Sequence, residues 1–65
     1  MDTTQAYTVP EFCQAHRFSK AFYYLLKQRG IAPREMHIGG RRLISKEAAA
    51  EWRRERELAS ETEAA

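Results

Sequence analysis

The stretch Met36-His37-Ile38-Gly39-Gly40-Arg41-Arg42-Leu43-Ile44 decides the fold. Apolar residues flank a Gly-Gly pair. Glycine accepts positive φ at no steric cost, so the pair marks the turn of a β-hairpin over about Arg34 to Ile44. A two-residue turn pairs Ile38 with Arg41 and Met36 with Leu43. Those four then share one face, and His37, Arg42 and Ile44 share the other. A longer turn would change that register. Two arginines follow the turn at once, so the hairpin tip is strongly cationic.

Working outward, helix signals lie on both sides. Upstream, Thr8-Val9-Pro10-Glu11 is a capping box. The threonine side chain accepts from the amide three residues on, Glu11 reaches back, and proline is tolerated in a first turn. Val9, Phe12, Cys13 and His16 follow at helical spacing, which predicts a short helix over about Val9 to Ala15. After the Arg17-Phe18 turn, Ser19 caps a second helix over about Lys20 to Gln28. Its run Ala21-Phe22-Tyr23-Tyr24-Leu25-Leu26 is apolar almost all round, and a two-helix unit cannot bury all of it. Leu25 and Leu26 are expected in the core. Of Phe22, Tyr23 and Tyr24, one or two are expected inside, with one presenting a hydroxyl outward. Gly30 stops this helix and Pro33 confirms the stop.

Downstream of the hairpin, Ser45 caps a third helix over about Lys46 to Leu58. Ala48, Ala49, Trp52 and Arg56 form its inner stripe, with Trp52 as the anchor. The expected fold is mainly α with a small β-hairpin: a winged helix-turn-helix in the order helix, helix, hairpin (the wing), helix. Residues 1–6 are expected to form a flexible N-terminus, residues 7–58 the winged helix-turn-helix domain, and residues 59–65 a flexible acidic tail.

The 65 residues, 43% of them hydrophobic, suffice for one small domain with a real core. Such a chain buries only ~60% of its unfolded surface and leaves little room for an enclosed catalytic pocket. The single cysteine excludes an intrachain disulfide and suits a reducing compartment. The first residues lack the basic and apolar regions of a signal peptide, and no apolar run approaches a membrane span. A cytoplasmic protein is expected. Cys13, His16 and His37 lack the spacings of a structural zinc site. No Walker loop, dinucleotide fingerprint, paired carboxylates or Cys-His nucleophile site is legible. No enzyme activity, cofactor, metal or small-molecule substrate is expected.

Charge is segregated. Between His16 and Lys46 lie Arg17, Lys20, Lys27, Arg29, Arg34, Arg41, Arg42 and Lys46, against the single acid Glu35. Outside that stretch, Arg53, Arg54 and Arg56 face all the remaining acids. A cationic middle points to a polyanionic partner. The second helix fits a DNA major groove, where Ser19, Lys20, Phe22, Tyr23 and Tyr24 near its start meet base edges or flanking phosphates. Lys20 and Lys27 suit phosphates, because lysine is a flexible point charge. Arg41 and Arg42 can straddle phosphates or enter a narrow minor groove, and Arg34, His37 and Lys46 extend the same patch. Glu51, Glu55 and Glu57 interleave with Arg53, Arg54 and Arg56. That mixture reads as a solvated helix face, or as a surface for a neighbouring copy.

The ordered set Thr-Val-Pro-Glu-Phe-Cys, Phe-Ser-Lys-Ala-Phe-Tyr-Tyr-Leu-Leu-Lys, Gly-Gly-Arg-Arg-Leu-Ile-Ser and Glu-Ala-Ala-Ala-Glu-Trp resembles the excisionase and AlpA-like winged-helix family, relatives of the MerR-type DNA-binding domain. The likeness covers about Tyr7 to Arg56. It implies that the second helix enters the major groove through Ser19, Lys20, Phe22, Tyr23 and Lys27. It implies that Gly39, Gly40, Arg41 and Arg42 form a wing on the adjacent minor groove or backbone. Two roles follow from the resemblance. One is a recombination directionality factor that binds repeated sites cooperatively, bends DNA and helps a tyrosine integrase excise a mobile element. The other is a small transcriptional regulator of a prophage or mobile element. From the exposed aromatics alone, a protein-interaction module is the reading from a different class.

Overall fold

Local capping decides where the helices begin. In the computed structural model, which describes residues 5–64, α1 runs over Val9–Ala15, α2 over Lys20–Gln28 and α3 over Lys46–Ala64. Thr8 closes the predicted box: its backbone N–H donates to Glu11 Oε1 at 2.9 Å, and its Oγ1 accepts from the Glu11 amide at 3.2 Å. Ser19 Oγ accepts from the Phe22 amide at 3.1 Å, and Ser45 Oγ from the Ala48 amide at 2.9 Å. Each serine thereby satisfies an amide the first helical turn leaves without a partner.

The ends of α1 and α2 share one device. Phe18 N–H donates to Cys13 O and Arg17 N–H to Gln14 O. In the same pattern, Ile31 N–H donates to Leu26 O and Gly30 N–H to Lys27 O. Both are Schellman closures, which need a left-handed residue one past the cap. Gly30 meets the requirement freely at φ 73°, whereas Arg17 adopts φ 62° with a side chain attached. That costs about 1 kcal/mol.

Gly39 and Gly40, at φ 52° and 85°, form a two-residue turn with both residues left-handed. It joins β2 (Met36–Ile38) to β3 (Arg41–Ser45). The register is the predicted one: Met36 opposite Leu43, His37 opposite Arg42, Ile38 opposite Arg41. A third strand, β1 (Ala6–Thr8), pairs antiparallel with the other edge of β3, with Tyr7 opposite Ile44. The fold is therefore a small mixed α/β unit of three helices and a three-stranded antiparallel sheet in the order β1-β3-β2.

Two expectations need correcting here. Ala6 belongs to a strand and not to a flexible end. Its strand is too short to show alternation in the sequence and exists only through pairing with the distant β3. Residues 1–4 of that expected end lie outside the described residues. The third helix does not stop at Leu58, and the tail expected to be flexible is helical through Ala64. The run after Leu58 contains no glycine or proline, so nothing local ends the helix.

The core is an aromatic cluster roofed by small residues. Val9, Phe12, Cys13, Tyr23, Ile44, Ala48 and Ala49 are buried, with Tyr7, Phe18 and Trp52 packed against them. Phe12 is fully buried at its centre, and its ring meets those of Tyr7, His16, Phe18, Tyr23 and Trp52 at centroid distances of 4.1–6.0 Å. Ala48 and Ala49 let α3 approach the sheet closely. Trp52 Nε1 donates to Ile31 O at 2.6 Å, which ties α3 to the segment after α2. Arg56 is half-buried, completing the expected stripe. Leu25, expected inside, is 38% exposed, because only Tyr23 and Leu26 fall on the inward side of α2.

Candidate nucleic-acid interface

The helical period sorts the side chains of α2 around the buried pair Tyr23 and Leu26. Lys20, Tyr24 and Lys27 sit three and four residues apart and so share one flank. The pleat sorts the hairpin in the same way. Ile44 points into the core, and His37 and Arg42, on the same face but nearer the tip, extend past the core's edge into solvent.

The α2 flank and the hairpin face meet. Arg42 Nη2 donates to Tyr24 Oη at 3.4 Å. Lys27 Nζ lies 3.3 Å from Glu35 Oε1, and His37 Nε2 lies 3.6 Å from the same oxygen. Helix and hairpin thus present Lys27, Tyr24, His37 and Arg42 as one contiguous polar surface that carries the charges of Lys27 and Arg42, with Lys20 one turn farther along the helix.

Glu35 holds this arrangement from beneath. Its side chain is only 7% exposed. Its other carboxylate oxygen accepts from the Tyr23 hydroxyl. Burial pushes the Glu35 carboxyl up, but hydrogen bonds from Tyr23 and Lys27, with the charges of Lys27 and Arg42, outweigh it and hold the group below its ordinary range. Burial, reinforced by the Glu35 carboxylate, raises the Tyr23 hydroxyl, which stays protonated and donating at neutral pH. The one acid of the basic stretch is therefore an internal counter-ion, and the charges exposed beside it are those of Lys27 and Arg42.

The structure does not bring together every residue read from the sequence. Tyr23 is fully buried and donates inward, so it is a core residue and not a contact residue. Phe22 and Tyr24 are the exposed members of that trio, at 44% and 40%. Arg34 turns to α3, where its Nη2 lies 2.5 Å from Glu51 Oε2, away from Lys27 and Arg42. Arg41 shares the face of Met36, Ile38 and Leu43, opposite that of Arg42. Lys46 lies over the Tyr7 ring, 5.9 Å from its centroid. Ser19 Oγ is engaged as a cap but keeps its own proton to donate. Gly39 and Gly40 shape the tip, and a Cβ at either would meet nothing within 4 Å.

Sequence reading missed Glu35 and Arg17. The signal for Glu35 was its isolation: a lone acid among cations needs an internal reason. Arg17, exposed between α1 and α2, keeps a charged side chain where glycine would fit without strain.

His16 carries a defined tautomer. Its Nδ1 contacts Phe12 O at 2.7 Å and must carry the proton, because a carbonyl only accepts. Its Nε2 then accepts from Arg53 Nη1 at 3.0 Å, joining α1 to α3. Burial pushes the Cys13 thiol up, with Lys20 acting the other way, so it is a packed group and not an activated nucleophile.

Among the described residues, no helix is long and apolar enough to cross a membrane. No family model, curated protein or solved structure matches the chain.

Proposed function

We propose that this chain is a sequence-specific, non-enzymatic DNA-binding protein of the winged helix-turn-helix kind, excisionase-like in its role. In this reading α2 is the recognition helix, laid in the major groove, and the β2–β3 hairpin is the wing on the adjacent backbone. The observation that carries it is the junction of the two elements: Lys27 and His37 meet at Glu35, and Arg42 reaches Tyr24, so helix and hairpin form one surface bearing the charges of Lys27 and Arg42. A duplex presents phosphates on both sides of its groove, and this surface offers positive charge on both sides of a helix–hairpin seam.

One such module buries roughly 600–1,000 Å² of its surface on DNA, which is little for a unique site. Several copies therefore bind adjacent direct repeats, self-associate along the DNA and bend it, and a tyrosine integrase is the partner that uses the bent complex. The resemblance of the ordered sequence blocks to the excisionase and AlpA-like family supports this role.

The test is a salt titration of duplex binding followed by fluorescence anisotropy. Measurable binding at low salt, falling steeply with added salt, is the expected result. Arg42→Ala should reduce the slope of log affinity against log salt by about 0.9, the weight of one phosphate contact, with similar loss on all duplexes. No binding at low salt would discard the proposal. An integrase-dependent excision assay on the protein's own element then separates excision from promoter control.

A further inference from the structure

The side of α2 that faces away from the core is unusual for a surface flanked by cations. On the 3.6-residue period, Ala21 lies nearly opposite the buried pair Tyr23 and Leu26. Leu25 stands one turn beyond Ala21, and Phe22 beside them. Leu25 is 38% exposed, Phe22 is 44% exposed, and Ala21 is exposed as well. The Phe22 ring is held by that of Phe18, with centroids 5.2 Å apart, so it is a braced surface group. An apolar strip thus runs along the helix, with Lys20 and Lys27 on one side and Arg29 past its end.

Within Lys20–Gln28 the residue types that can pair with guanine or adenine are Lys20, Lys27 and Gln28; Lys27 is turned to Glu35, and Gln28 lies at the last position of the helix, far from the start that enters a groove. The base-edge feature that an apolar side chain recognises is a 5-methyl group in the major groove. We propose that Ala21, Phe22 and Leu25 read thymine methyl groups, and that sequence preference arises there while the flanking cations hold phosphates. This inference rests on the DNA-binding reading above. Cations along one side and past the end favour a polyanion over an apolar protein as the occupant, and thymine gives that polyanion its apolar points.

The experiment begins by selecting bound sequences from a random duplex pool with the whole chain. Each thymine of a selected site is then replaced in turn by deoxyuridine, which removes only the methyl. At contacted positions, affinity should fall about fourfold per methyl, the weight of burying one such group, with no change in salt slope. Cytosine at such a position should bind weakly, and 5-methylcytosine there should recover affinity, which separates the methyl from the rest of the base pair. In Leu25→Ala and Phe22→Ala, both changes at exposed sites, the thymine-to-uracil difference should shrink toward none while binding persists.

Full affinity for the uracil-substituted site would overturn the inference and leave the apolar strip to a protein partner. So would a uracil penalty that survives in both variants, because it would then report duplex shape. A pool from which nothing is retained would defeat the DNA-binding reading itself, and this inference with it.

Discussion

Tyr23 and Tyr24 are neighbours in the sequence and opposites in the structure. The inward side of α2 carries Tyr23 and Leu26, with Tyr23 fully enclosed and bonded to Glu35. The outward sides carry Tyr24, Lys20 and Lys27 on one flank, and Phe22 and Leu25 on the other. The inner side is determined by packing, where each group has a defined partner. The outer side holds more apolar and cationic surface than the stability of one domain requires. Residues of the same type therefore differ in what their removal costs, and that difference can be measured.

The largest effect should come from Tyr23→Ala. Removing a fully buried ring creates a cavity beside Phe12 and leaves the Glu35 carboxylate short of a donor. A loss of about 3–5 kcal/mol is expected, enough to leave much of a domain this small unfolded in a urea titration. Tyr24→Ala, one position on, should change stability by no more than about 0.5 kcal/mol. Equal losses in the two variants would erase the distinction between the sides.

Next comes pH. The folded carboxyl of Glu35 sits below its ordinary range, so its contribution is fully present above the unfolded value, near pH 4, and is lost as pH falls through the folded value. Glu35→Gln should flatten that acid limb relative to the unaltered chain in denaturation experiments run from pH 7 to 2. An unchanged limb would place the acid sensitivity elsewhere. Tyr23 acts at the other end: its hydroxyl is raised, so its contribution holds below about pH 10 and fades as pH climbs through the folded value.

The smallest effect sharpens a second contrast, between the closures of α1 and α2. Gly30 and Arg17 occupy equivalent left-handed positions. Arg17→Gly should relieve strain and stabilise the fold by up to about 1 kcal/mol, offset by the greater freedom of glycine in the unfolded chain. If the same change weakens duplex binding, the strained arginine is retained for its charge.

Much of this molecule was legible because its signals are local. Thr8 with Glu11, Ser19, and Ser45 each announce a helix start within four residues, and Gly39-Gly40 marks the hairpin, whose register is settled only by the turn being two residues long. β1 was not legible, because Ala6-Tyr7-Thr8 becomes a strand only against the free edge of a β3 far along the chain. The end of α3 was misread because its apolar stripe runs out before its helix-forming residues do. For the site, the cationic middle was plain in the sequence, but its division was not. Arg34 leaves for Glu51 and Glu35 turns inward only once the segment between α2 and β2 folds back, and no periodicity encodes that path.

Thr8 ends β1 and caps α1, and Ser45 ends β3 and caps α3, so neither junction has any connecting residue to spare. A residue inserted between Ser45 and Lys46 would rotate α3 by about 100° and swing Ala48, Ala49 and Trp52 off the sheet.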